Sequence, residues 1–581
     1  MTARRTARLA DPRRRLRAGL IVIGAVLLVL AGRLVQLQGL EATAYAAQAE
    51  RQRIRKVELP AGRGQIVDRN GVALALSVDA RALYADPKLV TDAAGVAARL
   101  APLLKLPVAD LRERLQRHTR FVYLARGLDP QLAHRIIELR LAGLATLPET
   151  RRVYPNAGLG AAVVGFVGRE GGGLGGVEFR YDKELSGTPG RMLVEEAALS
   201  GRQIPSGARD VVSPVAGTSY VLTLDRDIQW MAERALADKV RSTHAKGGTI
   251  IVMSPRTGEV LALATAPSFD PNNPTKARPE ARGNPALSEV YEPGSINKVI
   301  TAAAALESGI VTPSTPVVVG QSVRVADKTF TDVHFGGTRT LSFTGVIAKS
   351  SNVGTIQVAQ RLGSERLYEY LRRFGFGEKT GVRFPGESAG LMPHYKVWSG
   401  SQVGTVPIGQ GVSVTALQIA SAYATVANGG VRVTPSLVRG TVGRDGRLVP
   451  GPAPARTAVV SPKTAAELTA MLEAAVTKEG TAYAARIDGY RVAGKTGTAR
   501  KVRPDGRGYA GYMSSFIGFA PADKPELVVA VTLNEPVPIF GGVVAAPVFR
   551  SVMGFALSTL RIPPTGRPAP AGVPLVLRPA G

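Results

Sequence analysis

Fifteen consecutive uncharged residues, 18–32 (AGLIVIGAVLLVLAG), lie between Arg17 and Arg33, and they constrain the chain more than any other feature. Lipid offers backbone amides no partner, so a run of this kind crosses a membrane only as a helix. Arg33 sits near its end and can snorkel, which extends the expected helix to residues 18–38, roughly the 20 residues a bilayer requires. Seven arginines (Arg4, Arg5, Arg8, Arg13, Arg14, Arg15, Arg17) stand against Asp11 ahead of it. The positive-inside rule therefore places tail 1–17 in the cytoplasm and the rest of this single-pass chain outside it. A cleaved signal peptide is the rival, with an A-x-A pattern at Ala42, Thr43 and Ala44, but Arg33 and Glu41 separate that pattern from the apolar run.

The 581 residues, 45% of them hydrophobic, imply several folded domains rather than wholesale disorder. The net charge of +28 is carried mainly by arginine, yet aromatics are only 6% and scattered, whereas a single-strand nucleic-acid groove interleaves basic with stacking residues. No nucleic-acid partner is expected. The absence of cysteine removes disulfides, thiolate nucleophiles and zinc ribbons. The five histidines (His118, His134, His244, His334, His394) show no ligand spacing, so neither metal nor cofactor is expected.

Residues 39–215 read as one non-catalytic domain. Arg69-Asn70-Gly71 predicts a hairpin with a type I′ turn, two helices are expected near 91–106 and 108–116, and a Gly-rich run at 171–176 leads into a helix ending at Gly187. The texture changes near Ser213-Pro214. From there the pattern predicts a strand at 220–224, a helix at 225–242, a hairpin of 248–253 with 259–264, and late strands at 515–519 and 527–533. This is an antiparallel sheet with inserted helices, an α+β domain over 216–560. Six prolines from Ile562 onward read as a disordered tail, 561–581.

The chemistry concentrates in that second domain. In Glu292-Pro293-Gly294-Ser295-Ile296-Asn297-Lys298, a Pro-Gly turn delivers Ser295 to the start of an alanine-rich helix, one turn from Lys298. A serine hydroxyl needs a base, and a lysine can be that base only when burial or a neighbouring cation, here Lys495, lowers its pKa. Whether Lys298 alone or a network shared with Lys495 takes the first proton stays open. Ser350-Ser351-Asn352 gives an SxN triplet, and Lys495-Thr496-Gly497-Thr498 gives KTGT on an expected strand. SxxK, SxN and KTG in this order form the pattern of penicillin-binding proteins and serine β-lactamases, with Ser351 where the lactamase version has Asp. Ser350 can relay a proton to a leaving amine, and Asn352 can hold a substrate amide. Lys495, Thr496 and Thr498 can bind a carboxylate, while Gly494 and Gly497 leave a strand edge bare for an extended peptide. The amides of Ser295 and Thr498 are candidate oxyanion donors.

Two other motifs fail on context. Residues 489–496 satisfy GxxxxGKT, but Gly497 and Pro504 follow where a P-loop needs a helix. Residues 386–390 satisfy GxSxG, but Pro385 and Pro393 bracket them, and the one later histidine, His394, is too near.

Across most of its length the chain resembles the class B penicillin-binding proteins, monofunctional peptidoglycan D,D-transpeptidases. Residues 63–71 (RGQIVDRNG) are similar to the family's entry motif, 176–190 to its second N-terminal block, and TLDRDIQ (223–229), GQG (409–411) and 416–430 to blocks of its catalytic domain. The resemblance implies a membrane anchor, a pedestal or dimerisation domain, and a penicillin-binding, serine β-lactamase-like transpeptidase domain. It also implies a serine acylated by the D-Ala-D-Ala end of a stem peptide, trapped by β-lactams and resolved by a neighbouring stem's amine. EPGSxNK is similar to the division-specific, FtsI-like branch, which implies an FtsW-type SEDS glycosyltransferase and small bitopic division proteins as partners. An elongation-specific enzyme is the near alternative. No glycosyltransferase domain fits before residue 216. A β-lactamase would need a deacylating glutamate, and no ExxLN segment follows Asn352. An inactive scaffold or a D,D-carboxypeptidase are the remaining rivals.

Overall fold

The structure, a computed structural model, describes residues 12–41, 54–195, 210–333, 337–443, 445–503, 507–566 and 572–577. Outside them lie the first eleven residues of the basic tail, the A-x-A pattern at 42–44, and His334. The chain divides into two compact units, residues 1–61 with 188–215, and residues 62–187 with 216–581.

In the first unit, a helix over Pro12–Val35 continues into a π-helical turn, Gln36–Leu40. Among the described residues it already includes Pro12 to Arg17, ahead of the expected residue 18. At 1.5 Å per residue, 24 residues reach about 36 Å, more than a hydrocarbon core. None of its residues is buried, as befits a single-pass membrane anchor. Strands Ile54–Leu59, Gly190–Glu195 and Asp210–Val212 form a three-stranded antiparallel sheet in that order.

In the second unit, Ile66–Val67, Ala73–Ala85, Val122–Leu128 and Leu144–Val153 share a sheet with Tyr220–Leu222, Val438–Val442 and Leu448–Pro450. Helices Ala93–Leu104 and Val108–Leu115 appear where expected and bury Leu100, Leu111 and Leu115 against Leu83 and Leu124. The hairpin at Asn70-Gly71 also forms, but Gly71 alone takes a positive φ (84°). The turn is therefore type I closed by a glycine bulge, not type I′. The Asp68 carboxylate enforces it by accepting from the amides of Asn70 and Val72, both at 2.8 Å. Its other oxygen accepts from Arg226 N (3.1 Å), while Asn70 Nδ2 donates to Asp225, the N-cap of helix Arg226–Ser242.

The expected helix before Gly187 is broken at Tyr181 into Gly176–Arg180 and Asp182–Ser186. Buried Glu178 on the first piece accepts from Arg63 Nε and Arg152 Nε, each at 2.6 Å, and Asp182 on the second accepts from Arg63 (2.7 Å). This network joins the two blocks that stood out in the sequence.

A five-stranded antiparallel sheet forms the centre, in the order Val260–Ala266, Gly247–Met253, Leu527–Asn534, Tyr509–Ala520, Ala493–Val502. Ile250 and Val252 face the helices Arg226–Ser242 and Ala546–Thr559, and Ile251 and Met253 face the opposite core around Lys298–Glu307 and Ala416–Ala427. Both faces are covered, which is why these strands read as unbroken apolar runs rather than alternating ones. The proline-rich end departs from expectation. Val576–Leu577 pair antiparallel with Arg339–Ser342, Leu575 is buried, and Ser342 Oγ donates to Pro574 O at 2.6 Å. Prolines interrupt the segment without removing the backbone groups that the edge of Arg339–Ser342 can pair.

Candidate active site

The segment carrying Ser295 is fixed on both sides. Tyr291 exchanges two backbone hydrogen bonds with Val414 (3.0 and 2.9 Å), and Gly294 N donates to Gly409 O (2.9 Å). Gly294 (φ 59°) and Gly409 (φ 80°) both need a backbone that side chains rarely adopt. A Cβ on Gly409 would lie 2.2 Å from Gly294 O. The chain then makes a 3-10 turn, Gly294–Asn297, and enters helix Lys298–Glu307, in which residues Lys298 through Leu306 are all buried. The alanine-rich run therefore reads as a helix enclosed on all sides. Ser295 stays partly exposed, while Lys298 is 0% exposed.

Lys298 Nζ donates to Ser350 O (2.6 Å) and Asn352 Oδ1 (2.7 Å), and lies 3.4 Å from Ser350 Oγ. Burial lowers its pKa to about 7, against the opposing pull of the Asp332 charge. The SxN triplet is a junction between two helices. Helix Phe343–Ala348 ends, Ser350 takes a left-handed backbone (φ 60°), and Ser351 caps helix Asn352–Leu362 by accepting from Gly354 N (2.9 Å). A non-glycine residue in that conformation costs about 1–3 kcal/mol and persists only where its surroundings hold it. Asp332 does the holding. It accepts from Ser351 Oγ (2.6 Å) and from the amides of Asn352 and Val353.

Lys495, also 0% exposed, lies on Ala493–Val502, the end strand of the central sheet. Its amine donates to Thr496 O (3.2 Å), and burial followed by the Lys298 charge holds its pKa well below the ordinary lysine value. Lys495 thus senses the Lys298 charge, whereas the sequence suggested Lys495 as the cation that lowers the pKa of Lys298, which burial does instead. Thr496 Oγ1 lies 3.0 Å from Thr481 Oγ1, and Thr498 Oγ1 accepts from Gly541 N (3.3 Å). Gly494 and Gly497 serve packing more than edge access. A Cβ on Gly494 would lie 2.4 Å from the Phe516 ring, and one on Gly497 would lie 2.3 Å from Ser515 Oγ and 3.0 Å from Ile296.

The three motifs therefore converge. Lys298 bonds Ser350 and Asn352, Lys495 lies within its electrostatic reach, and the turn bearing Ser295 packs on the strand of Thr496, Gly497 and Thr498. Sequence reasoning missed Asp332 and gave Glu292 no role beyond its motif. Among the described residues no cluster of His, Asp or Glu could hold a metal ion. The GxxxxGKT segment continues as strand, and Gly386-Glu387-Ser388 is a loop.

Residues 248–554 match the penicillin-binding protein transpeptidase domain and residues 58–222 the penicillin-binding protein dimerisation domain. The chain is 38% identical to penicillin-binding protein PbpB of Mycobacterium tuberculosis, over 97% of this chain and 87% of that protein. It belongs to the class B penicillin-binding proteins. Identity to Escherichia coli peptidoglycan D,D-transpeptidase FtsI is 35% over 94% of this chain and 92% of that one. The crystal structure of penicillin-binding protein 3 from Mycobacterium tuberculosis with aztreonam aligns at a TM-score of 0.71 and 33% identity, covering 90% of this chain and all of that one. In this penicillin-binding protein a dimerisation domain and a transpeptidase domain accompany each other.

Proposed function

We propose that this protein is a serine-type peptidoglycan D,D-transpeptidase. Ser295 Oγ attacks the carbonyl of the penultimate D-Ala of a stem peptide, and its proton passes to neutral Lys298. The peptide C–N bond breaks, the proton reaches the departing D-Ala amine through Ser350, and the acyl group remains on Ser295 as an ester. The amine of a second stem then attacks that ester, its proton returns to the serine oxygen by the reverse route, and a new amide crosslinks the two stems. Asn352 holds the donor amide, and Lys495, Thr496 and Thr498 take its carboxylate. Gly497 lets the strand lie close against the serine turn. The observation that carries this reading is the buried Lys298 amine within hydrogen-bond reach of Ser350 and Asn352.

The FtsI relative and the EPGSxNK motif support a septal role, with an FtsW-type SEDS glycosyltransferase and bitopic division proteins as partners. The arginine-rich tail supports a cytoplasmic N-terminus with the catalytic unit outside. The deciding experiment incubates the chain lacking residues 1–38 with a fluorescent penicillin beside Ser295→Ala. A covalent band on the parent alone, lasting many minutes, is expected. Rapid loss of label with consumption of the antibiotic would indicate a β-lactamase, and a folded protein that takes no label would indicate a scaffold.

A further inference from the structure

Glu292 lies three residues before Ser295 and is 7% exposed, a rare position for a carboxylate. Its Oε1 accepts from Gly411 N at 2.8 Å. The loop so held, residues 406–411, is also pinned by groups on the serine segment. Asn297 Nδ2 donates to Val406 O (2.9 Å), Thr301 Oγ1 to Pro407 O (2.8 Å), and Gly294 N to Gly409 O (2.9 Å). Those three contacts all address carbonyls up to Gly409. The contact from Glu292 reaches past it, to an amide in a glycine at φ 81°. Two further walls face the same carboxylate, Tyr509 at the start of strand Tyr509–Ala520 and Lys328 on strand Lys328–Thr331, the strand that ends beside Asp332.

We propose that Glu292 is a positioning residue for acyl transfer: by accepting the Gly411 amide, it locks the 409–411 loop to the turn that carries Ser295. The inference rests on the acyl-enzyme reading above. Without the tie, Gly411 is released to the conformations that glycine allows, and Gly409 O, on which the serine turn leans, is no longer held from the far side of the loop. A displacement of the nucleophile by a fraction of an ångström slows bond formation far more than it weakens noncovalent binding.

The test measures the acylation rate constant and the noncovalent dissociation constant separately, with a fluorescent penicillin, in Glu292→Ala, Glu292→Asp and Glu292→Gln. Glu292→Ala is expected to slow acylation by about tenfold or more while the dissociation constant moves little. Glu292→Gln, whose amide oxygen still accepts from Gly411, is expected to recover most of the rate, and Glu292→Asp, one methylene short, is not. If Glu292→Ala fails to fold, the contrast between Gln and Asp carries the test. Parent-like acylation in the Ala or Asp variant overturns the proposal, and so does a Gln variant as slow as Ala or Asp. A parent protein that takes no label would instead refute the acyl-enzyme reading itself.

Discussion

A lysine amine with no exposed surface keeps its proton only if its neighbours replace the lost water. Around Lys298 those neighbours are a carbonyl, an amide oxygen and, farther off, the single carboxylate of Asp332. The result is a pKa lowered to about 7, so the neutral amine that the proposed acylation requires is abundant only above it. Acylation by penicillin should therefore rise with pH through about 7 and level off, which stopped-flow labelling between pH 5.5 and 9 checks. Asp332→Asn removes the one charge that raises this pKa, so the inflection should move to lower pH, while weaker capping of helix Asn352–Leu362 costs about 1 kcal/mol of stability. Lys298→Ala should lower the acylation rate by about 10²–10⁴ with an unchanged far-ultraviolet circular dichroism spectrum, since alanine is the best helix former. Ser295, Lys298, Ser350, Asn352 and Lys495 were legible because each lies in a motif of a few residues whose spacing carries the chemistry. Asp332 and Glu292 were not, because their partners lie 19 to 119 residues away and no local pattern links them.

At the scale of elements, periodicity located the central strands and the helix Arg226–Ser242, because apolar runs and an aspartate cap are local signals. It failed where a tertiary partner decides. The Asp68 carboxylate selects a type I turn over the type I′ expected from Asn-Gly, and the Arg63–Glu178–Arg152 network accompanies a break at Tyr181 in what reads as one helix. The proline-rich end becomes a strand because Arg339–Ser342 offers it an edge. That strand leads through Ser342, the N-cap of Phe343–Ala348, to Ser350. Ending the chain at Gly566 uncovers Leu575's site and removes the Pro574 acceptor, for a loss of about 2–4 kcal/mol. The melting temperature of the truncated chain beside the full one reads this out. Gly409→Ala, whose Cβ would lie 2.2 Å from Gly294 O, should slow penicillin labelling even where the protein still melts cooperatively.

On the scale of the whole molecule, composition separated an anchor from a folded remainder and placed a change of texture near residue 215. The sheet that includes Ile66–Val67 nevertheless continues through Tyr220–Leu222 to Val438–Val442, so residues on both sides of that position share one ladder. Strand order is a long-range property that composition does not encode. Tyr220 N donates to Gln65 O, Gly217 N to Gly62 O, and Asp68 holds the first amide of helix Arg226–Ser242, a helix that covers one face of the central sheet. Residues 216–581 expressed alone would leave the inner edge of Tyr220–Leu222 unpaired and strip the helix start of its outside acceptor, and each buried group so orphaned costs about 1–3 kcal/mol. The fragment should melt lower and aggregate sooner than residues 62–581, whereas deleting residues 1–41 should leave both the melting temperature and the penicillin labelling rate of the remaining chain unchanged. Differential scanning calorimetry of the two fragments, the chain lacking residues 1–41 and the full chain decides it, with penicillin labelling of the last two. Equal melting of the 216–581 and 62–581 fragments would show that the shared ladder contributes nothing to the stability of the catalytic fold.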